Sequence, residues 1–136
     1  MSLKTGLLEK RQNERKDATW EVIYQTINTD EAKELRQRFS TQGPAPERND
    51  DSDFAPAVTS DWSDSGLCMM TGQALKPGSN LIIYLQHPTQ PSLVLVAEVV
   101  HNAVVEHPLS CVYRTGVRIT GVNPQDWRQF TKTGGE

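Results

Sequence analysis

The sequence lacks several features that mark whole classes of protein. Its only two cysteines, Cys68 and Cys111, form no Cys-x-x-Cys pair, which excludes a disulfide framework and is typical of a chain kept reduced in the cytoplasm. No apolar run approaches the length of a membrane span, and the first 16 residues have no apolar core of a secretion signal. There is no internal repeat and no glycine-rich phosphate loop. These absences predict a cytoplasmic protein with no membrane span.

The chain also lacks an excess of basic residues, since 14 Lys and Arg stand against 17 Asp and Glu, for a net charge of -3. A general nucleic-acid binder needs a broadly basic surface, and a barrel that binds single strands also needs exposed aromatic side chains. Both classes are therefore disfavoured. The charge is unevenly spread, however: residues 1–16 hold five basic and two acidic side chains, whereas residues 47–64 hold one basic and six acidic. The basic segment is available as an anion site.

Patterns for catalysis and for metal binding are missing as well. Side chains of metal-ligating type occur close together at His101, Glu106, His107 and Cys111. Their spacing matches no standard zinc site. Asp61 and Ser63 could be combined with a histidine into a triad, yet the sequence has no nucleophile elbow and no paired oxyanion donors. We therefore predict no enzymatic activity, no bound metal and no cofactor.

What the sequence does contain is a series of short strand patterns. Alternating or continuous apolar residues predict six strands, at 20–27, 55–60, 67–70, 81–86, 93–101 and 111–120. The side chains expected to face inward are Trp20, Val22, Tyr24, Leu67, Met69, Leu81, Ile83, Leu85, Val117 and Ile119. Arg114 and Arg118 are expected to face outward. Lys76-Pro77-Gly78 is typical of a type II turn.

Two helices accompany the strands. Asn28 is a typical N-cap with Glu31 three residues on, which predicts a short helix ending near Ser40. Asn123 followed by Pro124 predicts a C-terminal helix, which Trp127 and Phe130 would dock on the sheet. Residues 42–52 show no periodic apolar pattern and are interpreted as a loop. The fold class predicted is mainly β: a small six-stranded antiparallel barrel with a short inserted helix and a C-terminal helix.

The most polar turn in the chain is Asp61-Trp62-Ser63-Asp64-Ser65-Gly66. Strand alternation places Asp61 and Ser63 on one face and Trp62 on the other, so two hydrogen-bonding side chains can project together while the indole packs inward. Gly66 permits a tight turn and a close approach to the backbone. We interpret Trp20, Trp62 and Trp127 as core residues rather than stacking platforms.

Together with Arg11-Gln12-Asn13-Glu14-Arg15, this turn makes the sequence resemble the PilZ domain, a bacterial six-stranded barrel family that binds cyclic di-GMP. That family has Arg-x-x-x-Arg before its first strand and Asp/Asn-x-Ser-x-x-Gly between its second and third. The resemblance covers residues 10–130, and the two motifs are 46 residues apart because of an insert at about 28–53. It implies a flexible basic segment at 1–16, a barrel domain at 17–131 and a tail at 132–136.

The resemblance also implies a ligand site. The residues it assigns to cyclic di-GMP are Arg11, Arg15, Asp61, Ser63 and Gly66. Lys10, Arg114 and Arg118 are candidates for auxiliary contacts, and the alternative for Arg114 and Arg118 is that they are surface charges only. The chemistry is suitable, because one guanidinium group donates two hydrogen bonds at once, either to two phosphate oxygens or to guanine O6 and N7. A carboxylate accepts hydrogen bonds from the guanine N1 and N2 groups, and a serine hydroxyl donates or accepts.

Two functions agree with this resemblance. The first is a stand-alone adaptor that binds cyclic di-GMP and relays it to a protein partner in motility, pilus or exopolysaccharide control. The second is a PilZ-like protein-interaction module that binds no nucleotide, of the kind that acts in pilus biogenesis. Titration with the nucleotide distinguishes them.

Overall fold

All six predicted strands form, and each pairs with two neighbours so that the sheet closes on itself. The computed structural model describes residues 20–41, 54–63, 65–86, 92–107 and 110–134. The strands are β1 (Glu21–Ile27), β2 (Ala55–Ser63), β3 (Gly66–Thr71), β4 (Asn80–Gln86), β5 (Leu93–His107) and β6 (Ser110–Val122). They run antiparallel in the order β1-β2-β3-β6-β5-β4 around a closed barrel. The predicted fold class is confirmed.

Alternate side chains of the strands fill the barrel interior, as predicted. Leu81, Ile83 and Leu85 are fully buried there, and so is Met69. Closure of the sheet removes every one of these side chains from water without a second sheet, which is why a single small domain can bury a core of this size. The predicted type II turn is also present: Gly78 has φ of 94°, and the Ser79 N–H donates to the Lys76 carbonyl at 3.0 Å.

The C-terminal helix α2 (Pro124–Gly134) adds its apolar side to the interior core. Its first turn is capped by Asn123, whose Oδ1 accepts from the N–H groups of Gln125 at 2.9 Å and Asp126 at 3.2 Å. Trp127 meets Trp62 edge to face at 5.7 Å between ring centroids, and Phe130 meets Trp20 at 4.9 Å. All three tryptophans are buried, so the predicted docking of this helix and the core role of the tryptophans are confirmed.

The inserted helix α1 (Thr29–Ser40) covers part of the outside of the barrel. Asn28 and Glu31 form a reciprocal capping box at its start. Ala32 and Phe39 are buried against the outward side chains of β4 and β5, in a second core that holds Ile27, Ile82, Tyr84, Val94 and Val96. This coverage explains why β4 and β5 are apolar on both faces rather than alternating. Neither described helix has the length and apolarity needed to cross a membrane.

The strands around the second half of the barrel are longer than the sequence predicts. β5 continues to His107 instead of ending near His101, and β6 spans Ser110–Val122 instead of 111–120. The two strands pair along this whole length, forming a hairpin that extends beyond the other strands. Val104 lies at the base of this extension, level with the last residue of β3, and Val105 lies on it; both side chains are exposed.

Candidate functional site

The outer surface of β2, β3, β6 and β5, four neighbouring strands, carries the polar residues that the sequence singled out. We call it the four-strand face. Cross-strand pairing arranges its outward residues in rows. One row is Ser63, Gly66, Arg118 and Glu98; the next is Asp61, Cys68, Gly116 and His101; a third is Val58, Met70, Arg114 and Ala103. The rows bring side chains from four separate segments together.

Asp61 and Ser63 reach this face because of a β-bulge in β2. Before the bulge, Thr59 faces the interior and is fully buried, so strict alternation would also turn Asp61 inward. The register shifts between Thr59 and Asp61, and the extra residue reverses the alternation. The Ser60 hydroxyl within the bulge donates to the Cys68 carbonyl at 3.3 Å. Trp62 therefore faces inward and its two polar neighbours face outward, as the sequence predicts.

A second bulge, in β5, places His101 on the opposite side of the same face. Leu95, Ala97 and Val99 all face the interior core, so alternation alone would send His101 inward too. The register shifts between Val99 and His101, and His101 consequently pairs with Gly116 on the outside. Its imidazole occupies the space where a side chain at Gly116 would lie.

The middle row forms the floor of a depression, because its two central residues are a cysteine and a glycine. Asp61 lies at one end of the row and His101 at the other. Their Cα atoms are about 14 Å apart, because three strand spacings of about 4.8 Å separate them. The depression has a volume of about 610 Å³, and Ser63, Ser65, Arg114 and Arg118 also line it. That size suits a small-molecule ligand.

Positive charge borders this floor on β6. Arg114 and Arg118 flank Gly116 at two residues on either side, and both are exposed, as predicted. Arg118 forms an ion pair with Glu98, its cross-strand partner, while Arg114 forms no ion pair within the described part of the chain. Because the Arg118 side chain remains 62% exposed, its pairing is worth only about 0 to 1 kcal/mol. Both guanidinium groups are thus accessible to an anionic ligand.

Gly66 lines the depression but is constrained mainly by its own sheet. A Cβ at this position would collide with the carbonyl oxygen of Val117 on β6 and lie 3.5 Å from its carbon. Ser65 precedes it, and the Ser65 N–H donates to the Ser63 hydroxyl at 3.4 Å. The close approach that the sequence predicts at Gly66 is therefore made by β6.

The remaining predicted site residues, Lys10, Arg11 and Arg15, lie outside the described residues. The structure brings together Asp61, Ser63, Gly66, Arg114 and Arg118. It adds His101, which sequence reasoning considered only as a metal ligand. The sequence signal for this role is Gly116, which lies between two outward arginines. A glycine on an outer face leaves a space that a side chain from the neighbouring strand can fill. Among the described residues no cluster of three metal-ligating side chains occurs.

No protein-family model matches the sequence, and no curated protein matches it. Solved structures do. The PilZ domain of YcgR from Escherichia coli, determined with cyclic di-GMP, superposes with a TM-score of 0.57 at 14% identity, over 92% of this chain and 88% of that one. The Bacillus subtilis inhibitor of motility MotI/DgrA superposes with a TM-score of 0.58 at 14% identity, over 92% of this chain and 49% of that one.

These superpositions show the fold of the chain. Its closed six-stranded antiparallel barrel with two helices is PilZ-like. The fold that the sequence motifs implied is therefore confirmed, with the helix of the insert placed on the outside of β4 and β5.

Proposed function

We propose that this protein binds cyclic di-GMP on the four-strand face and relays it to a protein partner as an adaptor, without catalysing a reaction. The observation that carries the proposal is the shared depression, in which Asp61 and Ser63 from β2 lie opposite Arg114 and Arg118 from β6. The likeness in fold to the YcgR domain determined with this nucleotide supports the choice of ligand.

The chemistry divides between the two sides of the depression. The Asp61 carboxylate accepts hydrogen bonds from the N1 and N2 groups of a guanine, and the Ser63 hydroxyl donates or accepts beside it. Guanidinium groups bind the phosphates. In this proposal Arg11 and Arg15 provide the main phosphate contacts, and Lys10, Arg114 and Arg118 provide auxiliary ones.

A specific observation favours the second candidate, a protein-interaction module that binds no nucleotide. The β5–β6 hairpin extends beyond the rest of the barrel, and the side chains of Val104 and Val105 near its base are exposed, so apolar surface there is accessible to a protein partner. The same surface would serve the adaptor, so it does not exclude nucleotide binding. Calorimetric titration of the purified protein with cyclic di-GMP, and with GTP as control, separates the two candidates. We expect saturable binding of cyclic di-GMP and none of GTP.

The same titration tests the proposed contacts. Arg11→Ala, Arg15→Ala and Asp61→Ala should each weaken binding by roughly 1.5 to 3 kcal/mol, the usual loss for a charge-assisted hydrogen bond. A matched control is Arg128→Ala, which removes an exposed arginine on α2 and should leave the affinity unchanged. Absence of binding by the unaltered protein, or undiminished binding by the Arg15 and Asp61 variants, would favour the interaction module instead.

A further inference from the structure

His101 lies face down on Gly116. A Cβ built at Gly116 would collide with the imidazole Nε2 and lie 2.6 Å from Cδ2 and 2.8 Å from Cε1. If the tip of the ring pointed at this Cβ, Cδ2 and Cε1 would each be about 1 Å farther from the Cβ than Nε2 is. Both carbons are less than 1 Å farther from the Cβ than Nε2 is. One face of the imidazole therefore covers the glycine. The other face is directed away from the sheet.

The upper face of this ring is accessible. His101 is exposed, although it lies in the middle of a strand, and its neighbour Val100 is 49% exposed. The charged groups around it are Arg114 and Arg118 on β6, Glu98 on β5 and Asp61 at the far end of its row. The ring therefore forms a flat part of the floor of the depression, beside two guanidinium groups.

We infer that His101 is a stacking platform for one guanine of the bound ligand, and that Gly116 positions it by leaving room for the ring. This inference rests on the proposed function. Nucleobases stack on exposed aromatic faces, histidine included. A ligand with two bases can present the hydrogen-bonding edge of one to Asp61 and the face of the other to the His101 ring, which lies over Gly116, two strand spacings or about 10 Å from Asp61 along the row.

The bulge in β5 is the device that makes this contact available. Without the register shift between Val99 and His101, the side chain would continue the inward series of β5 and enter the core. Bulges commonly turn a side chain toward a binding site. Because Gly116 has no side chain, the ring lies directly on the floor of the depression. A larger residue at this position would hold the ring away from the sheet.

Calorimetric titration with cyclic di-GMP tests the inference. His101→Ala should weaken binding about 10-fold, within a range of about 5- to 100-fold for the loss of one base stack. His101→Phe keeps a flat ring and should stay within about threefold of the unaltered protein. Gln37→Ala is the control, because Gln37 is exposed on α1 and does not line the depression.

A double-mutant cycle tests the role of Gly116. Gly116→Ala places a methyl group against a side chain that can rotate away, so the fold should persist, and binding should weaken about as much as in His101→Ala. The double variant should bind no more weakly than His101→Ala alone, since both changes remove the same contact. Proton NMR adds a direct readout: the Hδ2 and Hε1 signals of His101 should move upfield when a base stacks on the ring.

The outcomes separate the two proposals. The stacking role is overturned if the unaltered protein binds and His101→Ala binds with the same affinity. It is also overturned if the losses of the two single variants add in the double variant. Either result leaves the proposed function intact. No binding by the unaltered protein would overturn both.

Discussion

Single residues at the two bulges decide which side chains lie on the four-strand face. Asp61 and His101 belong to strands whose earlier residues, Thr59 and Val99, face the interior. One extra residue in each strand turns them outward. A shift of one residue in register therefore places Asp61 and His101 on the polar outer face instead of in the apolar core.

The buried tyrosine of β1 provides a test at the residue scale. Tyr24 is only 2% exposed, and its hydroxyl donates to Gln73 Oε1 at 2.9 Å. Burial raises the pKa of Tyr24 above 10.0. The unfolded chain therefore ionises first, so the contribution of this group to stability is fully present below pH 10 and is lost as pH rises through the folded pKa.

We expect Tyr24→Phe to lower the free energy of unfolding by about 1 kcal/mol at neutral pH, through loss of the hydrogen bond. Above about pH 10, the free energy of unfolding should fall less steeply in this variant than in the unaltered protein. Urea denaturation at neutral pH and near pH 10.5 measures both effects. Parallel pH profiles for the two proteins would contradict the assignment.

At the scale of elements, the pairing of β3 with β6 holds the two sides of the depression at a fixed distance. Gly66 pairs with Arg118, and its Cα faces the Val117 carbonyl oxygen so closely that no Cβ fits. The obstacle is backbone within a sheet, which cannot move aside as a side chain can.

Gly66→Ala should therefore destabilise the barrel by about 1 to 3 kcal/mol, the usual effect of overpacking. Gly72, just after β3, is a matched control because a Cβ there has nothing within 4 Å, and Gly72→Ala should change stability by less than about 0.5 kcal/mol. Urea denaturation of the two variants gives the comparison. Equal stabilities would show that β6 yields at this contact.

The whole molecule has two hydrophobic layers on different parts of the barrel. The interior core lies behind the four-strand face, whereas the outer core lies beneath α1, on the outward sides of β4 and β5. Phe39 is the largest α1 side chain in the outer core and is 2% exposed.

Phe39→Ala should lower the free energy of unfolding by about 3 kcal/mol or more, because it leaves a cavity beneath the helix. The affinity for cyclic di-GMP at 25 °C should remain within about twofold, since distant sites act independently. Gln37→Ala, an exposed change on the same helix, is the control for both measurements. A parallel loss of affinity would mean that the two layers are coupled.

Local patterns in the sequence specify the strands, their order and the two helix caps. Alternating apolar residues specify strand faces, and the side chains of Asn28 and Asn123 satisfy helix N–H groups locally, so these features depend on residues close together in the chain. The grouping of Asp61 with Ser63 on one face follows from the same alternation. Arg114 and Arg118 were likewise placed outward by their spacing.

Contacts between distant segments fix where the alternation of side chains reverses within β2 and β5. The bulges at Ser60 and Val100 leave no local mark in the sequence, because the shift arises from pairing with β3 and β6, which are distant in the chain. The place of His101 beside Arg114, and the covering of β4 and β5 by α1, likewise depend on contacts between remote segments. Strand periodicity indicates which residues share a face, and pairing between distant strands decides where that pattern reverses.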